Sequence, residues 1–168
     1  MSHPRRPSRL ELWLVGLPAI PYRLGFPGYE RIFGLQWMLI TTKGRRTGKP
    51  RTVLLDLVGH DPATGRYYVQ PGQRTAGWVH NVQAHPFVEA QVGRKCFRAR
   101  VVDASGPEGA RWVFDFAKRH PLQTRLVERL LPELAPPKGS DAEIIDWLAK
   151  HVLVFALDPI AEEPPSSP

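Results

Sequence analysis

The sequence predicts an antiparallel sheet or small barrel with helices packed outside it, a mainly β arrangement of the α+β class. Three observations carry this. Strand-like runs are mostly joined by short turns, in the order three strands, a helix, two strands, helices and a last strand. In the fifth run, Phe97, Ala99 and Val101 alternate with Arg98 and Arg100, the period of a half-buried strand. Strands and helices do not alternate one for one and no G-x-G-x-x-G occurs, which counts against a doubly wound parallel fold.

The elements follow in order. Arg5, Arg6 and Arg9 precede the apolar run Leu10–Ile20 and mimic a signal peptide, but Glu11 interrupts the run and Pro18 and Pro21 break it. It is too short to span a bilayer as a helix. It reads as an amphipathic helix that packs on the domain or covers its pocket. Basic residues beside Trp13 leave open a peripheral membrane contact. Pro and Gly from Pro18 to Gly34 mark an irregular lead-in. Leu35–Thr42, Arg51–His60 and Gly65–Gln70 read as a three-strand meander, with turn chemistry at Asp61–Gly65.

Thr75–Ala84 has helical spacing, with Thr75 as candidate N-cap and Trp78 and Val82 on one face; His85–Pro86 ends it. Phe87–Val92 and Lys95–Val102 form a hairpin around Gly93–Arg94. Gly106–Leu131 is helical and split by Pro121. Ser140 with Glu143 forms a capping box for another helix, and His151–Leu157 reads as the final strand. The Pro/Ser-rich tail from Ala161 is expected to be disordered. The chain thus divides into a lead-in (1–34), a barrel domain (35–158) and a tail (159–168).

A length of 168 residues suits one core, and the net charge of +7 implies an anionic partner: a phosphorylated cofactor, nucleic acid or a membrane surface. Cys96 is the only cysteine, so an internal disulfide and a cysteine-pair metal site are excluded. Within a strand-like run it reads as a buried apolar filler, and the chain as cytoplasmic. The histidines show no H-E-x-x-H spacing, and there is no G-x-S-x-G for a serine nucleophile.

Chemistry concentrates in Thr41–Arg51, TTKGRRTGKPR. Lys43, Arg45, Arg46, Lys49 and Arg51 place five cations in nine positions, and no acidic residue occurs between Glu30 and Asp56. Gly44 and Gly48 allow a tight turn and close approach of a ligand. Thr47 adds a hydroxyl at the tip. Arginine forks match phosphate or carboxylate oxygens, and glycine turns expose backbone N–H groups to anions. A solvated hairpin that only confers solubility has the same charge, but the flanking apolar strands would hold this one rigidly. The Walker spacing is absent. A second patch, Pro71–Asn81, runs from a turn into a helix start, where free N–H groups and Trp78 could meet an anion and a planar ring. Core packing is the ordinary role for Trp78 and a surface helix position the ordinary one for Asn81.

T-T-K-G-R-R-T-G-K-P-R, G-R-Y-Y-V-Q and G-W-V-H-N-V-Q-A-H-P-x-V together resemble the deazaflavin-dependent nitroreductase family, from about Leu35 to Val102 with a weaker echo in the closing strand. The resemblance implies a split β-barrel related to flavin reductases and pyridoxamine-phosphate oxidases. It also implies coenzyme F420, a deazaflavin with a phosphate and an oligoglutamate tail. On that basis Arg45, Arg46, Thr47, Gly48 and Arg51 hold the phosphate, and Lys43 and Lys49 meet tail carboxylates. Gly72, Gln73, Trp78 and Asn81 lie beside the ring. The implied reaction is hydride transfer from reduced F420 to a small hydrophobic electrophile: an activated C=C, a quinone or a nitro compound. Trp13, Tyr22, Phe26, Tyr29, Phe33, Trp112 and Phe116 either wall its pocket or form ordinary core. His80, His85 and His120 are proton donors only by type, and no catalytic base is assigned.

His85 replaces the family's common Asn before proline, and Ala76 a common proline. FAKRHPLQTRL lacks the tyrosines of some nitro-reducing members. These departures bear on nitroreduction more than on cofactor binding. Competing readings are an FMN or FAD protein, a cofactor-sequestering protein and a nucleic-acid-binding barrel. The last is disfavoured because the cations cluster in one turn rather than along a strand face. A homodimer is compatible with the sequence, as is a position at the inner face of the cell membrane.

Overall fold

The structure, a computed structural model, describes residues 36–71, 75–130 and 135–160. The expected lead-in helix, its aromatic residues and the tail from Ala161 lie outside the described residues; Pro159, placed in the tail by the sequence, closes the last strand. Among the described residues six strands form: β1 (Trp37–Lys43), β2 (Pro50–His60), β3 (Tyr67–Val69), β4 (Phe87–Val92), β5 (Lys95–Asp103) and β6 (Phe155–Pro159). All pairings are antiparallel, in the order β1-β2-β3-β6-β5-β4. β4 returns to β1 and closes a barrel, so the predicted antiparallel barrel with outer helices is the observed fold. The closing seam is short: Leu39↔Gln91, Ile40↔Ala90 and Thr41↔Glu89. Past Thr41, β1 runs on beside β2 alone, to Lys43↔Pro50.

Strand alternation sorts the side chains into two layers. Met38, Ile40, Leu55, Leu57, Tyr67, Val69, Val88, Ala90, Ala99, Val101, Phe155 and Leu157 fill the interior. Helix α1 (Gly77–Ala84) adds Trp78, Val79 and Val82 to that cluster, as the predicted apolar face requires. Among the described residues three more helices follow: α2 (Pro107–Arg119), α3 (Pro121–Leu130) and α4 (Asp141–His151). Ala110, Val113 and Phe114 of α2 and Leu148 of α4 cover Val58, Tyr68 and Ala156 on the outer sheet face. Trp112 and Phe116 pack against this outer cluster. Pro121 separates α2 from α3, and Ser140 caps α4 with Glu143 in the expected reciprocal box.

A bulge adjusts the sheet to the helices. Leu57 pairs with Val69 and Gly59 with Tyr68, so β2 carries one extra residue. Leu57 thus faces inward, while Val58 is buried under the outer helices.

Three expectations are corrected. Thr75 does not cap α1; the helix starts after Ala76 without a side-chain cap. The final strand begins at Phe155, because His151 ends α4 and Val152 and Val154 are buried in the outer cluster as part of the connection. Cys96 is exposed, not buried. With Phe97, Ala99 and Val101 directed inward, strand alternation leaves Cys96 on the outer side with Arg98 and Arg100. Among the described residues no helix is long and apolar enough to cross a membrane.

Candidate functional site

The β1–β2 connection is a tight, closed turn. The Gly44 N–H donates to the Lys49 carbonyl at 2.9 Å and the Gly48 N–H to the Gly44 carbonyl at 2.8 Å. Gly48 has φ +67°, a conformation that side-chain-bearing residues rarely adopt. A methyl group on Gly44 would sit 2.9 Å from the Lys49 carbonyl oxygen, so the turn can close only over glycine.

Lys43, Arg45, Arg46, Lys49 and Arg51 are all exposed. None of them joins an ion pair among the described residues; the ion pairs present involve Arg66, Lys118 and Lys150. The N–H groups of Arg46 and Thr47 meet no protein acceptor among the described residues, whereas the Arg45 N–H is engaged. Among the described residues, the tip therefore presents guanidinium groups without ion-pair partners and two free backbone donors.

The turn is fastened at its base. The Thr41 and Thr52 hydroxyls lie 2.9 Å apart across the two strands. The Thr42 hydroxyl donates to the Arg51 carbonyl at 3.2 Å. From α1, Asn81 reaches the same point: its Nδ2 donates to Thr42 Oγ1 at 3.1 Å, and its Oδ1 accepts from the Arg45 N–H at 3.2 Å. The second patch of the sequence is thereby joined to the first by a side chain that is only 7 % exposed.

The other predicted site residues fall as follows. Lys43, Arg45, Arg46, Thr47, Gly48 and Arg51 come together in the turn. Trp78 lies in the barrel interior, edge-on to Phe155 at 5.3 Å. Gly72 and Gln73 lie outside the described residues. A groove of about 250 Å³ runs beside the turn, bordered by Lys43, Gly48, Pro50, Phe87, Glu89 and Arg98. The sequence reading did not single out Phe87, Glu89 or Arg98 as site residues. The alternation in β5 already turned Arg98 outward, but only the β1–β4 seam brings it beside the turn. His120 packs on Phe116, and burial, then the nearby Arg119 charge, lower its pKa below the usual imidazole value. His80 and His85 are half-buried, in α1 and just after it. Among the described residues no cluster of His, Cys, Asp and Glu could hold a metal.

The chain is similar to several solved structures. An F420H2-dependent reductase is 21 % identical, with a TM-score of 0.48 over 72 % of this chain and 92 % of that one. A pyridoxamine 5'-phosphate oxidase-related, FMN-binding protein from Nostoc punctiforme is 13 % identical, with a TM-score of 0.45 over 94 % and 84 %. A protein of unknown function from Agrobacterium tumefaciens is 12 % identical, with a TM-score of 0.52 over 95 % of this chain and 60 % of that one. No curated protein matches the chain. Among the described residues the fold is a closed, six-stranded antiparallel barrel. A family model for F420H(2)-dependent quinone reductase matches residues 25–132, and the chain belongs to that family. It is an F420-dependent oxidoreductase, and its cofactor is the deazaflavin F420. The turn's donor set suits such a cofactor: guanidinium groups and backbone N–H groups that have no partner among the described residues are what a phosphate requires.

Proposed function

We propose that the chain binds reduced F420 with its phosphate in the Lys43–Arg51 turn and passes a hydride to a hydrophobic electrophile, a quinone above all. The observation that carries this is the cluster of exposed cations, without ion-pair partners among the described residues, on a glycine turn held rigidly by β1, β2 and α1. Arg45, Arg46 and Arg51, with the Thr47 backbone N–H, grip the phosphate, and Gly48 supplies the left-handed conformation that closes the turn. Lys43 and Lys49 meet the carboxylates of the tail. Arg98 adds a further cation across the groove. We assign Gly72, Gln73 and Trp78 to the ring end of the cofactor. When bound, reduced F420 supplies the hydride; a quinone then takes one proton from solvent to become a hydroquinone. The chain's own contribution is to orient the cofactor through its anionic end, which lowers the entropic cost of bringing the two planes together. The quinone is the substrate named for the matched family, and this supports it over nitro compounds and activated alkenes.

The test is a titration of F420 followed by tryptophan fluorescence, with FMN as competitor and turnover assayed on quinone, nitro and alkene acceptors. Losing one charge-assisted contact costs about 1.5–3 kcal/mol, so Arg45→Ala and Arg51→Ala should each weaken binding by roughly tenfold to a hundredfold. Binding as tight as the parent's in both variants would overturn the phosphate assignment. Fastest turnover on an acceptor other than a quinone would overturn the substrate.

A further inference from the structure

We propose that Asn81 is a positioning residue: it holds the Lys43–Arg51 turn in its anion-ready shape from behind and does not touch the cofactor. This rests on the phosphate-binding reading of the turn and adds what keeps that turn ready.

The geometry runs through four groups. Arg51 offers a carbonyl, which can only accept, so the Thr42 hydroxyl spends its one proton on it at 3.2 Å. The Thr42 oxygen is then left to accept, and Asn81 Nδ2 donates to it at 3.1 Å. The Arg45 backbone N–H can only donate, and Asn81 Oδ1 accepts from it at 3.2 Å. Each donor meets an acceptor, and the orientation of the carboxamide follows from the two backbone groups at the ends of the chain. Thr42 is 1 % and Asn81 7 % exposed, so these bonds compete little with water.

The result is that one side chain ties both limbs of the turn. The incoming limb is held at Arg45 and the outgoing limb at Arg51, two of the arginines assigned to the phosphate. Only a side chain with one donor and one acceptor in a fixed plane does this. Aspartate lacks the donor, and alanine lacks both. Without the carboxamide the Arg45 N–H and the Thr42 oxygen lose their partners, and the turn can sample shapes in which its arginines no longer converge. A ligand would then have to order the turn as it binds, which weakens affinity without altering the reacting centre.

The experiment compares Asn81→Ala, Thr42→Val, Thr42→Ser and the alanine–valine double variant, each as the full chain with F420. Loss of one or two such bonds corresponds to about a tenfold rise in Kd and in KM for reduced F420. Asn81→Ala and Thr42→Val should show it, with kcat at saturating cofactor changed less than about twofold. Thr42→Ser keeps the hydroxyl and should restore parental affinity. The double variant should be no weaker than the worse single variant, because the bonds form one chain. Hydrogen exchange at the Arg45 amide should accelerate in Asn81→Ala.

Parental Kd in both single variants would overturn the proposal. So would a fall in kcat with KM unchanged in Asn81→Ala, which would put the carboxamide at the reacting ring, and so would fully additive losses. The underlying reading fails separately: unchanged affinity in Arg45→Ala and Arg51→Ala removes the phosphate role, whereas Arg45 amide exchange reports on the Asn81 bond whatever the ligand does.

Discussion

Gly59 illustrates how much a single methyl group can decide. A Cβ there would lie 2.1 Å from the Trp112 ring, far inside contact distance. Trp112 instead lies flat on the strand and stacks on Tyr68 at 4.9 Å. The bulge beside Gly59 leaves the Val58 carbonyl for Arg119, which donates to it at 3.1 Å. Gly59→Ala should therefore expel Trp112 from its seat and destabilise the protein by about 1–3 kcal/mol in urea unfolding. An unchanged midpoint would show that Trp112 has room to shift. This packing was not legible in the sequence, because Gly59 and Trp112 lie far apart along the chain and nothing local pairs them. Asn81 stood out as a site residue, but its bonds were hidden for the same reason: its partners Arg45 and Thr42 are 36 and 39 residues away. The exposure of Cys96 is legible in the sequence. The alternation that turned Phe97 inward already turned its neighbour outward.

At the scale of elements, the turn and the capping box were the clearest signals, since each is written in consecutive residues. Hydrogen bonds from the Ser140 backbone and hydroxyl hold the Glu143 carboxyl below its usual value of 4.5. A lowered folded value contributes stability that is fully present above pH 4.5 and is lost as pH falls through the lower folded value. Melting temperature should thus decline on acidification below pH 4.5, and Glu143→Gln should flatten that part of the profile. Identical slopes in parent and variant would mean that the box contributes nothing to α4. Strand limits were harder to read. The apolar run HVLVFAL suggests one strand, yet Val152 and Val154 are buried against helices before the sheet begins at Phe155. Apolarity records burial, and two different layers bury this run.

For the whole molecule, antiparallel class and outer helices followed from the order of the elements, whereas barrel closure did not. The seam joins β1 to β4 and the far side joins β3 to β6, and neither pairing has a local signature. The net charge of +7 acts at this scale. Raising salt from about 0.1 M to about 1 M shortens the Debye length from about 10 Å to about 3 Å. The Kd for F420 should rise at least about fivefold over that range, and less steeply in an Arg45→Ala/Arg51→Ala double variant. A salt-independent Kd would remove electrostatics as the basis of binding.

β6 pairs with β3 on one side and β5 on the other, although β3 is made nearly ninety residues earlier, as Tyr68↔Ala156 shows. During synthesis, β3 and β5 must wait as open edges until Phe155–Pro159 leave the ribosome. The nascent chain thus passes through a stage in which the cofactor turn and the β4–β5 hairpin can already form while the sheet is still able to recruit a stranger's strand. Pairing of Phe155–Pro159 with both edges ends that exposure.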